Sequence, residues 1–132
     1  DYYCAPGQMR YISENQGRFD DILLNITIDG AGYKKGGTVL SFFNLPDDLK
    51  RKVTDVMKDY HGFTEGPEYP QGDHFIFVQY GRPAIAVSSA WLIENLEEQS
   101  ITHTAADTVE IVDCGRLVEI AKGLATIVRA IA

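Results

Sequence analysis

Long apolar runs are missing from this sequence: none approaches the roughly 18 residues a helix needs to cross a bilayer. Positive charge is also scarce. Twelve Lys and Arg stand against 19 Asp and Glu, for a net charge of −7 and a pI near 4.8. A nucleic-acid backbone needs a clustered cationic surface, so this balance argues against nucleic acid as the main partner. It argues equally against an anionic membrane surface. Cysteine is rare, with only Cys4 and Cys114, far apart in the chain. No CxxC pair or metal-finger spacing results, and two buried free thiols are expected rather than a disulfide. There is no GxSxG elbow, no P-loop, no HExxH and no GxGxxG. Internal repeats, low-complexity stretches and the basic–apolar–small pattern of a secretory leader are absent too. The sequence starts at Asp1, so a processed or truncated product is expected, and the parent's localisation stays open.

What is present is an ordinary globular composition. Of the 132 residues, 45% are hydrophobic and 23% charged. At about 150 residues per domain, this is one domain or a portion of one. Pro6 suits the first turn of a short helix to Asn15, ended near Gly17. Asp21 to Gly30 is short, β-branched and apolar, and reads as a strand buried on both faces. Ile22, Leu24, Ile26 and Ile28 would then lie on a central strand. Thr38 to Phe43 is a second strand. Leu45-Pro46-Asp47-Asp48 opens a helix, with acids at the positive end of its dipole. Leu49, Val53, Val56, Met57 and Tyr60 form its apolar face, and Gly62 stops it. Phe63 to Gly72, with Pro67 and Pro70, reads as a loop with at most a short extended piece. Asp73 to Tyr80 reads as a short helix capped by Asp73, and Pro83 to Ser88 as a third strand. Trp91 to Glu98 is a short helix or an irregular loop. Asp113 caps a long final helix whose stripe is Leu117, Ile120, Ala121, Leu124, Ile127, Val128 and Ile131. Loose alternation of strands and helices predicts an α/β layered domain. Three strands make a thin sheet, so an incomplete one is expected.

A few residues carry chemical potential. Asp29 ends an apolar strand, and ligands collect beyond the carboxyl ends of strands in α/β sheets. Asp29-Gly30 is also an ordinary turn signal. His103 lies in a polar loop, where imidazoles are either solvated or ligands. Asp73 and His74 are adjacent: a proton relay or ligand pair, or a helix start. Glu94, Glu97 and Glu98 read as a solvated face. Lys34 and Lys35 read as a charge pair at a turn tip. His61, at the end of the middle helix, is given no role.

Four strings, in order, resemble one family. Leu24-Asn25-Ile26-Thr27-Ile28-Asp29-Gly30-Ala31-Gly32-Tyr33 resembles the strand and turn that present a metal-binding Asp in the M28 zinc peptidases, the aminopeptidases of the Aminopeptidase Y type. Gly72-Asp73-His74-Phe75-Ile76-Phe77 is similar to that family's Ser-Asp-His-x-x-Phe segment. Gly81-Arg82-Pro83-Ala84-Ile85-Ala86-Val87 is similar to its Gly-Ile-Pro-apolar strand. His103-Thr104-Ala105-Ala106-Asp107-Thr108, followed by Asp113 and the long helix, resembles its closing His-Thr-x-x-Asp-Thr block.

The resemblance implies a three-layer α/β sandwich of the zinc-exopeptidase (phosphorylase/hydrolase-like) type, with a mixed sheet flanked by helices. It implies hydrolysis of N-terminal peptide bonds by two zinc ions, acting on peptides with a free N-terminus. Asp29 and His103 match ligands of different zincs. Asp1 is a further candidate ligand, matching one position of the family's Glu-Glu pair. Asp73 and His74 match a segment on the substrate side, and Asp107 with Thr108 would fix the loop that aims His103. There are departures: Gly72 stands for the usual Ser, and Thr102 stands where many members have Tyr. The general-base Glu, the first metal His and the bridging Asp have no counterpart here. A catalytic zinc usually takes three protein ligands, so the chain alone is expected to bind zinc weakly or not at all and to be inactive. A sheet left uncovered implies self-association or a missing N-terminal segment. Two alternatives keep the fold: a glutaminyl-cyclase-like acyltransferase, and a non-catalytic peptidase-like binding or assembly module.

Overall fold

The computed structural model describes residues 6–97 and 100–132. Helix α1 covers Pro6–Asn15, and a single 3₁₀ turn follows at Phe19–Asp21. Strands β1 (Asn25–Ile28), β2 (Thr38–Phe43), β3 (Phe63–Gly66) and β4 (Ala84–Ser89) form one mixed sheet in the order β1-β4-β2-β3. Between them lie α2 (Asp47–Met57) and α3 (His74–Gln79); α4 (Ala90–Glu94) and α5 (Cys114–Ile131) follow β4.

The sheet has helices on both faces. One face presents Leu40, Phe42, Ile85 and Val87 to Val53 of α2 and to Ile120 and Ile127 of α5. The other presents Phe43, Ala84 and Ala86 to Tyr69, with Val78 of α3 and Ile93 of α4 packed alongside. All six residues of β2 and of β4 are buried. Such two-sided burial explains why both strands read as nearly unbroken apolar or small-residue runs. Helix α2 buries Val53 and half-buries Leu49, Val56 and Met57, the face its spacing requires, but it ends at Met57, so the half-buried Tyr60 joins the core from the turn beyond it.

Four expectations need correction. Strand β1 is shorter than Asp21 to Gly30 and lies at an edge, paired with β4 alone among the described residues. Leu23 is 79% and Ile28 55% exposed, so β-branched content marked a strand without marking its place in the sheet. Phe63–Gly66 is a strand, parallel to β2. Its signal was weak because Thr64-Glu65-Gly66 is polar and small, as suits an edge. In α5 the buried residues are Ile120, Gly123, Leu124 and Ile127, while Leu117, Ala121 and Val128 face outward. Gly123 turns inward because only a residue without Cβ clears the Phe63 ring. Cys114 is a free thiol but exposed, not buried; Cys4 lies outside the described residues.

Candidate functional site

Strands β1 and β4 run parallel, so their carboxyl ends open at the same edge of the sheet. Strand β2 runs against β4, with Thr38 opposite Ser89, and therefore begins at that edge. A cleft of about 290 Å³ lies there, and Asp29, Ser89, His103 and Asp107 are among the residues that line it. Asp29 and His103, 74 positions apart in sequence by 103 − 29, thus share one cavity, and both side chains are exposed.

Backbone bonds hold the two halves of the cleft together. Asp29 N–H donates to Val87 O (3.0 Å), and Ser89 N–H donates to Gly30 O (3.1 Å). This extends the β1–β4 ladder past the last strand residue and anchors Asp29 to the rigid centre of the sheet. Gly30 turns the chain there with φ +59°, so both readings of Asp29-Gly30 hold: it is a turn, and it faces the cleft. On the far side, Asp113 N–H donates to Gly32 O (2.8 Å) and Lys34 N–H to Ile111 O (2.9 Å). These bonds pin the entrance of α5 to the turn after Asp29. The Asp113 carboxylate caps α5 by accepting from Gly115 and Arg116 N–H, as the sequence required.

The His103 loop is braced by Thr104. Its hydroxyl donates to Ile101 O (2.7 Å) and accepts from Ala106 N–H (3.1 Å), while Asp107 N–H donates to Thr104 O (3.1 Å). His103 itself has φ +60°, a left-handed conformation in which His is among the less disfavoured residues. The loop is thus fixed by a hydroxyl. Among the described residues the Asp107 carboxylate makes no bond that braces it, and instead lines the cleft.

Asp73 and His74 are not at the cleft wall. Asp73 makes no cap bond to α3; its carboxylate is exposed and accepts from Gln8 Nε2 at 2.9 Å. His74 is 1% exposed, packed against Phe43 and Tyr69, with Nε2 donating to Tyr69 O at 3.0 Å. Burial holds its imidazole below the usual histidine range, opposed by that carbonyl bond and by the charges of Asp73 and Asp29. Asp1 lies outside the described residues.

Two aromatic residues of the cleft were missed. Tyr33 and Trp91 both line it, with ring centroids 5.3 Å apart. The chain has a single Trp, and its position just after β4, at the edge where sites gather, was the available signal.

Oxygen and nitrogen donors such as Asp29 and His103 suit zinc. Yet among the described residues no group of three His, Cys, Asp or Glu side chains is placed to hold a metal ion.

The model of Peptidase family M28 matches residues 6–128. Among solved structures, the chain is similar to an aminopeptidase from Aneurinibacillus sp. strain AM-1, with TM-score 0.71 and 18% identity, over 92% of this chain and 29% of that one. It is similar in the same degree to a presumed peptidase from Clostridium acetobutylicum, with TM-score 0.71 and 14% identity, over 92% of this chain and 28% of that one. The chain thus spans less than a third of either structure's length, and the likeness at such low identity shows the fold. No curated protein compared with the chain matches it. With a family model covering nearly all of the chain and the carboxyl-edge cleft that its fold creates, the chain belongs to peptidase family M28.

Proposed function

We propose that the chain is part of a zinc-dependent aminopeptidase, in which the Asp29 carboxylate and the His103 imidazole each donate one metal ligand. The observation that carries this reading is their meeting in one cleft at the carboxyl edge of β1 and β4. When bound, zinc supplies Lewis-acid polarisation of the scissile carbonyl and an activated water. The chain's own contribution is to orient that chemistry. Ladder bonds on either side of the Asp29–Gly30 peptide hold the carboxylate in place, and the Thr104 turns hold the imidazole. The Asp107 carboxylate offers a negative wall to the protonated N-terminus of a peptide. Tyr33 and Trp91 offer an apolar wall to its side chain. Among the described residues, no glutamate lines the cleft. Beyond the candidate Asp1, the reading assigns the general base and the remaining ligands to portions of the parent protein outside this chain, in keeping with its span of under a third of the related structures.

Zinc titration of the purified chain, followed by calorimetry, tests this. Weak binding is expected, because two donors fall short of the usual three, and it should be lost in Asp29→Asn and in His103→Ala. Alone, the chain should release no amino acid from aminoacyl substrates, since a positioned base contributes on the order of 10²- to 10⁴-fold. Zinc binding that survives both substitutions would overturn the assignment.

A non-catalytic member of the family is the second reading, favoured by the lack of a three-donor group among the described residues. It predicts no zinc binding to the parent protein either.

A further inference from the structure

Beneath the cleft lies a buried polar pair that the aminopeptidase reading leaves unused. Tyr69 is 7% and Ser88 1% exposed, and their hydroxyl oxygens are 2.8 Å apart. The register of β1 on β4 sets Ile28 opposite Val87. The bond from Asp29 N–H to Val87 O continues it, so Asp29 stands opposite Ser88; one residue later the ladder slips, and Ser89 N–H donates to Gly30 O. Residues paired across neighbouring strands project to the same face of a sheet. On this face the Tyr69 ring packs with Phe43 and His74. His74 Nε2 donates to Tyr69 O, tying the Tyr69 backbone to the start of α3. The Asp29 charge acts on the Tyr69 phenol, which burial already holds above the usual tyrosine range.

Two hydroxyls carry two O–H hydrogens, and the bond between them uses one. Whichever oxygen donates, a second hydrogen is left, and among the described residues it is not already bonded to a further acceptor. A buried O–H without a partner is costly, on the order of 1–3 kcal/mol. The acidic residue on the same face, opposite Ser88 in register, is Asp29.

We propose that Tyr69 and Ser88 are positioning residues for Asp29: their surplus O–H turns to the Asp29 carboxylate and fixes the oxygen that faces the cleft. The inference rests on the reading of Asp29 as a metal ligand. Residues that hydrogen-bond a ligating side chain set its orientation, and their loss commonly weakens metal binding 10- to 100-fold. The donor comes from the loop before α3 and from the centre of the sheet, so the carboxylate would be aimed by the fold's most rigid strand.

The test uses the whole chain with ¹³C-labelled aspartate and no metal. The Asp29 carboxyl resonance, assigned by its disappearance in Asp29→Asn, is compared among wild type, Tyr69→Phe, Ser88→Ala and the double variant. Circular dichroism reports whether each folds, and Ser88→Ala serves where Tyr69→Phe does not. The resonance is expected to move in whichever single variant removes the hydroxyl that donates to Asp29, and no further in the double, because one hydrogen bond is being removed. A resonance that stays put in every folded variant overturns the proposal. Zinc affinity is measured on the same set by competition with a chromophoric chelator. A 10- to 100-fold loss in the single variant that moves the resonance, not compounded in the double, supports the proposal. If zinc binding survives Asp29→Asn and His103→Ala while the resonance moves, the metal reading falls and the hydrogen bond stands. If zinc binds through Asp29 and the resonance does not move, the reverse holds.

Discussion

His103 combines a cleft-facing imidazole with a left-handed backbone, and the two demands can be separated by substitution. A non-glycine residue in that region costs roughly 1–2 kcal/mol. Glycine relieves this but loses about 0.5–1 kcal/mol to its freer unfolded chain. His103→Gly should therefore leave stability within about 1 kcal/mol of wild type in a urea melt while losing the imidazole. His103→Val, β-branched, should lose more than about 1 kcal/mol. Equal stability of the two variants would show that the loop is not held left-handed in solution. His74 poses a different question. Burial lowers its folded-state pKa below the ordinary 6.5. Between those two values the unfolded chain binds the proton and the folded chain does not. Stability from this group is thus complete above about 6.5 and is lost as pH falls toward the folded value. Thermal melts from pH 7.5 to 5 should show wild type losing more stability than His74→Gln, whatever the offset between them. Parallel profiles would show that the imidazole titrates normally.

Among the elements, α5 departs most from its sequence pattern. Seven apolar residues predict a broad stripe, but the contact with β3 requires close approach, and the helix meets Phe63 through Gly123. Alanine at this position gains about 1 kcal/mol of helix propensity. Its methyl must also displace a buried aromatic ring, and overpacking costs about 1–3 kcal/mol. Gly123→Ala is expected to lower stability on balance by up to about 2 kcal/mol in urea denaturation; a more stable variant would mean that the ring shifts freely. Helix α3 shows the same dominance of packing over local signal. Asp73 has the residue type of a cap, yet its carboxylate turns to Gln8 of α1 instead. Tyr11 and Phe77, also of α1 and α3, meet edge-on at 5.9 Å.

At the scale of the molecule, the sheet ends on both sides in strands paired only inwardly among the described residues. Beside β1, Leu23 and Ile28 are exposed, and on α5 so are Leu117 and Val128. Unpaired edges and exposed apolar groups favour association. Light scattering on the isolated chain should therefore report a mass above the 14.7 kDa of one copy. Substituting Lys for Ile28, which places a charge beside the open edge, should shift it toward that value. A monodisperse wild-type monomer would show that these faces tolerate water unaided.

Local chemistry was enough to read α2 and α5, β2 and β4, the Asp113 cap and the α/β class. Periodicity, capping residues and two-sided apolar runs act over a few neighbouring residues, and that information is carried in the sequence itself. The strings around Asp29 and His103 also pointed to the right family and to two residues that share a cleft. Strand order was not legible: an edge strand and a central one can both be β-branched, and only pairing distinguishes β1 from β4. Nor was the fate of Asp73 and His74, whose residue types suit a site while their packing turns one outward and buries the other. Tyr69 and Ser88 carry no motif, and they meet because β4 and the loop before α3 converge. Contacts between residues distant in the chain cost loop-closure entropy and are made only when the whole core condenses. For that reason the tertiary structure alone decided which polar groups stand beside Asp29.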